Sequence, residues 1–365
     1  MIIMAAKRTG ISIDLLVHPG EAINDILIER GITQAELATR TGVTPAYVCN
    51  VISGKKDISA KFALALEYAL GVSKSFWINL QANYDAELLE ANELETITDE
   101  ERGARESIKE VVKYLRETGK MPARETGDAS IISARKALQI SNLANLKELA
   151  PAGVIRMSVK SKTDPYVMGA WIRLCQIAGE SRSVTSEFNV DGIDELVSKA
   201  KAIMCSSEES VQKALSDLFS GYGIDFSVVR NFKGAPVQGY ISKKKDGTYQ
   251  MVLSIRESYA DIFWFSLFHE LGHIINGDVT KAERFIDYND DAEMEAEADA
   301  FASSKLIAPD AYDLFVKNAD YSIESIERFS VNQNIRPYIV IGRLQREKRL
   351  DYSRYNSEKV LYKWA

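Results

Sequence analysis

The chain has 365 residues, is 46% hydrophobic and 27% charged, and carries a net charge of −7. These values fit a water-soluble protein of roughly two to three domains and exclude a protein whose overall basic field draws it to nucleic acid. No apolar run reaches the length of about 18 residues that a membrane span needs.

Lys7 and Arg8 follow the apolar Met1-Ile2-Ile3-Met4 rather than precede it, the wrong order for a signal peptide. Cys49, Cys175 and Cys205 are scattered without disulfide or metal-ligand spacing, as reduced thiols in a cytoplasmic protein would be. Residues 19–92 then read as consecutive short helices. Pro19 suits a first helical turn, Ile23, Ile26 and Leu27 line one face, and Gly31 stops the helix. Thr33 looks like an N-cap with Glu36 completing a capping box, and the helix that follows buries Leu37 and Ala38. Gly42 makes a tight turn, Thr44 caps a third helix with Pro45 at its first position, and Val48 and Val51 face inward.

Helix, glycine turn, helix at this spacing is the helix-turn-helix pattern, whose second helix enters the major groove by its amino-terminal end. Thr44, Pro45, Ala46, Tyr47 and Asn50 are the exposed residues there, with Asn50 suited to a bidentate contact with adenine. Gln34, Tyr47, Lys55 and Lys56 are suited to phosphates. Residues 1–90 hold eight Lys+Arg against ten Asp+Glu, so tight binding calls for a homodimer that doubles the phosphate contacts. The same helices also describe a small bundle with no ligand. The stretches His18-Pro19-Gly20-Glu21, Gly31-Ile32-Thr33-Gln34-Ala35-Glu36-Leu37-Ala38 and Gly71-Val72-Ser73-Lys74-Ser75-Phe76-Trp77-Ile78-Asn79-Leu80-Gln81 resemble a HigA-type antitoxin of the XRE (Cro-like repressor) group over residues 12–92. The resemblance implies a dimeric domain recognising a palindromic double-stranded DNA operator, and contact with a toxin partner. His18 is then structural.

Residues 93–149 read as a helical linker region, charged and glycine-poor at 93–107, with Ile108, Val111, Val112 and Leu115 on one helical face. Trp171 reads as core, and 194–220 as helical. The pattern then changes. Ile224–Val229 reads as a strand, and two more strands flank the turn Lys245-Asp246-Gly247, giving a small antiparallel sheet with an edge to which an extended peptide can add.

Two of the three histidines follow, in His269-Glu270-Leu271-Gly272-His273. On a helix both imidazoles lie on one face, one turn apart, so that they can reach one Zn²⁺, with Glu270 placed to activate water there. The run Ile262–Phe268 is apolar enough to bury that helix. A third histidine is missing: Asn276 and Val279 stand where the metzincin pattern needs glycine and histidine. A carboxylate from the acidic stretch 290–302 is the simplest third ligand. Glu295 is favoured over Glu297 because Asp299, one turn on, could hold a ligand histidine through its other ring nitrogen. Tyr240, Tyr288 and Arg336 are candidates for the oxyanion donor.

Phe263-Trp264-Phe265-Ser266-Leu267-Phe268-His269-Glu270-Leu271-Gly272-His273, Glu295–Ala302, Leu306-Ile307-Ala308-Pro309 and Asn334–Gln345 resemble the ImmA/IrrE family of metallo-endopeptidases over residues 150–365. Family members often carry asparagine where this chain has Asp299. The resemblance implies zinc-dependent cleavage of a repressor or other regulatory protein in a stress, toxin-antitoxin or mobile-element circuit. The expected fold is α+β and mostly helical: an all-α helix-turn-helix domain, then a zincin-like domain whose small antiparallel sheet precedes the HExxH helix. A competing expectation is a HigA-like autorepressor whose second domain binds or senses a partner without cutting it.

Overall fold

The computed structural model describes residues 16–150, 163–180, 184, 186–206, 210–254, 258–279, 284–286 and 292–362. The chain divides into two compact units, residues 1–102 with 124–133, and 103–123 with 134–365. Residues 93–102 and 124–133 fall in the first unit, and 103–123 and 134–149 in the second.

The first unit is built from α1 (Pro19–Arg30), α2 (Gln34–Thr41), α3 (Pro45–Ile52), α4 (Ala60–Leu70) and α5 (Lys74–Asn92). Its turns follow from local chemistry. His18 Nδ1 accepts from Gly20 N at 3.0 Å and so caps α1. Thr33 and Thr44 accept from Glu36 N and Tyr47 N at 3.1 and 3.2 Å. Gly31 and Gly42, at φ 64° and 69°, end α1 and α2 in the left-handed region that only glycine enters without cost. Only half of the expected capping box forms, because the Glu36 carboxylate pairs forward with Arg40. Ile23, Leu27, Leu37, Val48, Val51, Phe62, Leu66 and Trp77 close the core.

The remaining helices are α6 (Asp99–Ser107), α7 (Lys109–Glu117), α8 (Ala129–Leu138), α9 (Leu146–Leu149), α10 (Pro165–Glu180), α11 (Ile193–Cys205), α12 (Val211–Ser220), α13 (Ala260–Asn276), α14 (Ala292–Leu306), α15 (Pro309–Asn318), α16 (Ile323–Asn332) and α17 (Pro337–Arg346). In α7 the apolar face Val111, Val112 and Leu115 is buried as its period predicts. Between α12 and α14 lie β1 (Ile224–Val229), β2 (Gly239–Lys243), β3 (Tyr249–Ser254) and β4 (Arg284–Ile286), in the sheet order β1-β3-β2-β4.

The sheet is mixed rather than antiparallel throughout. β2 and β3 form the expected hairpin around Gly247, at φ 87°, but β3 rather than β2 neighbours β1 and runs parallel to it, from Ile224↔Tyr249 to Val229↔Ser254. The reason is connectivity: the hairpin reverses the chain once, so its second strand returns in the direction of β1. Side chains alternate across β3. Met251 and Leu253 join the core that α13 shares, whereas Gln250 on the other face donates to Cys175 O of α10 at 2.6 Å. Trp171 of α10 is fully buried, edge-on to Tyr240.

Candidate metal centre and helix-turn-helix surface

Helix α13 is hydrophobic nearly all round and lies buried from Phe263 to Ile274, with Ile262 and Phe265 only partly covered, so its histidines point into the protein rather than into water. α14 packs close against it at small residues. A Cβ on Gly272 would stand 3.2 Å from Ala298 Cα and 3.3 Å from Ala298 O. That approach lets Glu295 reach the histidine pair.

His269 Nε2 lies 3.0 Å from His273 Nε2, and Glu295 Oε2 lies 3.3 Å from His269 Nε2. Glu295 Oε1 lies 3.6 Å from His273 Nε2, buried and without a hydrogen-bond partner among the described residues. These three residues form a group able to hold one metal ion, their ligand atoms all within 4.8 Å of one another. Both outer ring nitrogens meet carboxylates: His269 Nδ1 is 2.9 Å from Asp299 Oδ1, and His273 Nδ1 is 2.7 Å from Asp278 Oδ2. Each carboxylate favours the Nδ1–H tautomer, which turns both Nε2 lone pairs toward the same point. Two lone pairs facing each other repel unless a cation stands between them. In a tetrahedral zinc site with bonds near 2.0–2.1 Å, adjacent ligand atoms are about 3.3 Å apart, close to the spacing here. The donor set fits the ion.

The electrostatics agree. Burial opposes charge on His269, but its bonds to Asp299 and Glu295 and the nearby charge of Glu270 outweigh burial and push its pKa up to about 10. A proton on His269 supplies the positive charge that this acidic cluster requires. Burial likewise opposes ionisation of Asp299, yet His269 and Arg346 hold its carboxyl below the usual range.

Of the two candidate third ligands, Glu295 faces the histidines and Glu297 is exposed. Glu270 is 1% exposed, seated against β2 at Gly239, where a Cβ would fall 1.8 Å from Glu270 Oε1. A cleft of about 980 Å³ opens over the group, lined by His269, Glu270, Glu295 and Asp299 and by residues of α17 and the chain after it. The oxyanion candidates do not converge on it. Tyr240 is buried and not part of the cleft lining, Arg336 is bound to the carbonyls of Met204, Cys205 and Ser206, and Tyr288 lies outside the described residues. Nor is β2 a free edge, since β4 pairs along it from Tyr240↔Ile286 to Ser242↔Arg284.

Sequence reasoning missed Asp278 and Gly239. Asp278 had a readable signal: Gly277, at φ 80°, ends α13, and the turn brings Asp278 N to 3.1 Å from His273 O. Gly239 had none, because its neighbour Glu270 is distant in sequence.

In the first unit Thr44, Pro45, Ala46, Asn50, Lys55 and Lys56 are exposed around α3, and Gln34 is half-buried at the start of α2. Tyr47 is only partly exposed, edge-on to Phe62 with Lys56 Nζ 4.4 Å from its ring centre. It therefore braces the surface more than it projects from it. The Thr44 hydroxyl is engaged as acceptor in the cap.

A helix-turn-helix family model matches residues 23–77, and the model of the IrrE N-terminal-like domain, a peptidase family, matches residues 231–336. Virulence-associated protein A' of Dichelobacter nodosus is 44% identical over 69 residues, 19% of this chain, and the chain spans 60% of that protein's length. Among solved structures, the Pseudomonas aeruginosa antitoxin HigA with its promoter is 31% identical, covering 23% of this chain and 97% of its own, with a TM-score of 0.21. An addiction module antidote protein of the HigA family from Coxiella burnetii is 26% identical, covering 23% of this chain and 96% of its own, with a TM-score of 0.21. The chain joins a helix-turn-helix domain of the XRE type to an IrrE-like peptidase domain. Among the described residues, no helix is long and apolar enough to cross a membrane.

Proposed function

We propose that this chain is a DNA-binding regulator that carries a zinc-dependent endopeptidase and cuts a regulatory protein. The observation that carries the reading is the convergence of His269, His273 and Glu295 on one point, with Glu270 lining the same cleft as His269 and Glu295. His269, His273 and Glu295 would hold Zn²⁺ and leave a fourth position open. When bound, the ion supplies Lewis acidity, lowering the pKa of water and polarising the scissile carbonyl. Glu270 accepts the proton of the attacking water and delivers it to the leaving amide nitrogen. Its burial keeps that carboxylate from being screened by bulk water, and Gly239 fixes its seat. Asp299 and Asp278 hold the two imidazoles in the ligating tautomer. In the first unit, Asn50 would read a base edge while Gln34, Lys55 and Lys56 hold phosphates, the homodimer placing two such surfaces on a palindromic operator.

The test is Glu270→Gln. It should keep stoichiometric zinc and operator binding and lower cleavage of the regulatory substrate by about 10²–10⁴-fold. Cleavage by the variant at the wild-type rate removes Glu270 as the base, and absence of cleavage by wild type ends the enzyme reading. One observation favours the alternative, an antitoxin-like repressor that binds its partner without cutting it: β4 occupies the edge of β2 beside Glu270, where an extended peptide would otherwise add. On that reading, Glu270→Gln and wild type behave alike in every assay.

A further inference from the structure

We infer that Arg346 is a positioning residue of the metal centre, acting on His269 through Asp299; the inference rests on the metallopeptidase reading above. Three helices contribute. Arg346 on α17 places Nη2 2.8 Å from Asp299 Oδ2, while the other oxygen of the same carboxylate, Oδ1, lies 2.9 Å from His269 Nδ1. The carboxylate is thus held at both ends, and its plane is fixed. The Arg346 guanidinium also lies over the ring of Phe265, 4.6 Å from its centre, and that ring lies one helical turn before His269 and 6.3 Å from the imidazole. Both contacts of Arg346 are therefore with groups that touch the same histidine.

The two ligand histidines differ in how much outside support they need. Asp278, 9% exposed, is held beside His273 by the turn that ends their shared helix. Asp299 comes from another helix and is 40% exposed, so water competes for its oxygens. Without a second anchor it can rotate and leave the His269 tautomer undefined. A guanidinium suits the task because its planar fork can stack on an aromatic ring and donate in its own plane at once, which an ammonium cannot do. An isolated pair this exposed contributes little to stability, so its effect is expected at the metal rather than in the melting temperature.

The experiment measures zinc affinity of the full chain by competition with a chromophoric chelator, together with the visible spectrum of the cobalt-substituted protein. Asp299→Ala should weaken zinc about 10–100-fold, the usual cost of losing a partner of a ligand histidine. Arg346→Ala should weaken it about 3–10-fold, below that range because it acts one bond further out, and should shift the cobalt bands with the melting temperature of the metal-free protein unchanged. Arg346→Met, which keeps contact with Phe265 and removes the charge, should match Arg346→Ala. In the Asp299→Ala background, Arg346→Ala should add nothing. Wild-type affinity in Arg346→Ala overturns the inference, as does an undiminished effect when Asp299 is absent, or wild-type behaviour in Arg346→Met. A wild-type chain that takes up no stoichiometric zinc overturns the metallopeptidase reading instead, so the two failures are told apart.

Discussion

In the helix-turn-helix unit each turn that shapes the functional surface is set by its immediate neighbours: Thr33 and Thr44 cap the helices they precede, and Gly31 and Gly42 end the helices they follow. In the IrrE-like unit the decisive contacts join residues far apart in sequence. Glu295 reaches α13 from α14, and Gly239 of β2 lies against Glu270. The first surface has its turns set by local caps, although its short helices persist only on the core they share. The second exists only after the core has closed, so its chemistry inherits the tolerances of packing.

Glu295→Ala tests that difference at its largest. Zinc affinity should fall by more than the roughly 100-fold upper range for an outer partner such as Asp278, while operator affinity stays as in wild type. Metal analysis and a mobility shift on the same preparation check both, and loss of operator binding together with zinc would mean the two units do not function separately. Gly239→Ala sharpens the point. A methyl there must displace the Glu270 head, so cleavage should drop by about 100-fold with metal content unchanged, in line with the cost of misplacing a catalytic group by an ångström. Unaltered turnover would show that Glu270 has room to move.

On the other unit, Asn50→Ala should weaken operator binding by about 1–3 kcal/mol and relax base preference at one position. Lys55→Ala should lower affinity evenly across sequences and reduce the salt slope by about one. Equal affinity in both variants removes α3 as the reading surface. The smallest effect concerns pH. In metal-free protein the His269 pKa is pushed up to about 10, against about 6.5 in an unfolded chain. Its raised value stabilises the fold fully below about 6.5, and that contribution is lost as pH rises toward 10. The melting temperature of metal-free wild type should therefore decline more between pH 7 and 10 than that of His269→Gln; parallel profiles would contradict it.

Legibility in the sequence divides along the same line. The helices of the first unit, the hairpin around Gly247 and the helix bearing His269 and His273 could be read because caps, turn glycines and apolar periodicity are local signals. The parallel pairing of β1 with β3 could not, since no local pattern says which strand of a hairpin meets a third. β4 and its place on β2 were missed for the same reason. Arg336 and Tyr240 were plausible oxyanion donors by residue type alone, and only packing reveals that one is tied to carbonyls at the end of α11 and the other is buried away from the cleft. Asp299 could be anticipated from its spacing to Glu295; Arg346, which fixes its other oxygen, could not.

Gly272 carries no donor and titrates nothing, yet it sits where α13 and α14 come within touching distance, with Ala298 Cα 3.2 Å from where its side chain would begin. It works as a spacer of zero width. A single methyl at that point has to be absorbed by backbone, and whichever helix yields carries ligand atoms with it. Because Glu295 and Asp299 ride on the facing helix, a small shift there moves them too, so Gly272→Ala should weaken metal binding, though by less than loss of a ligand.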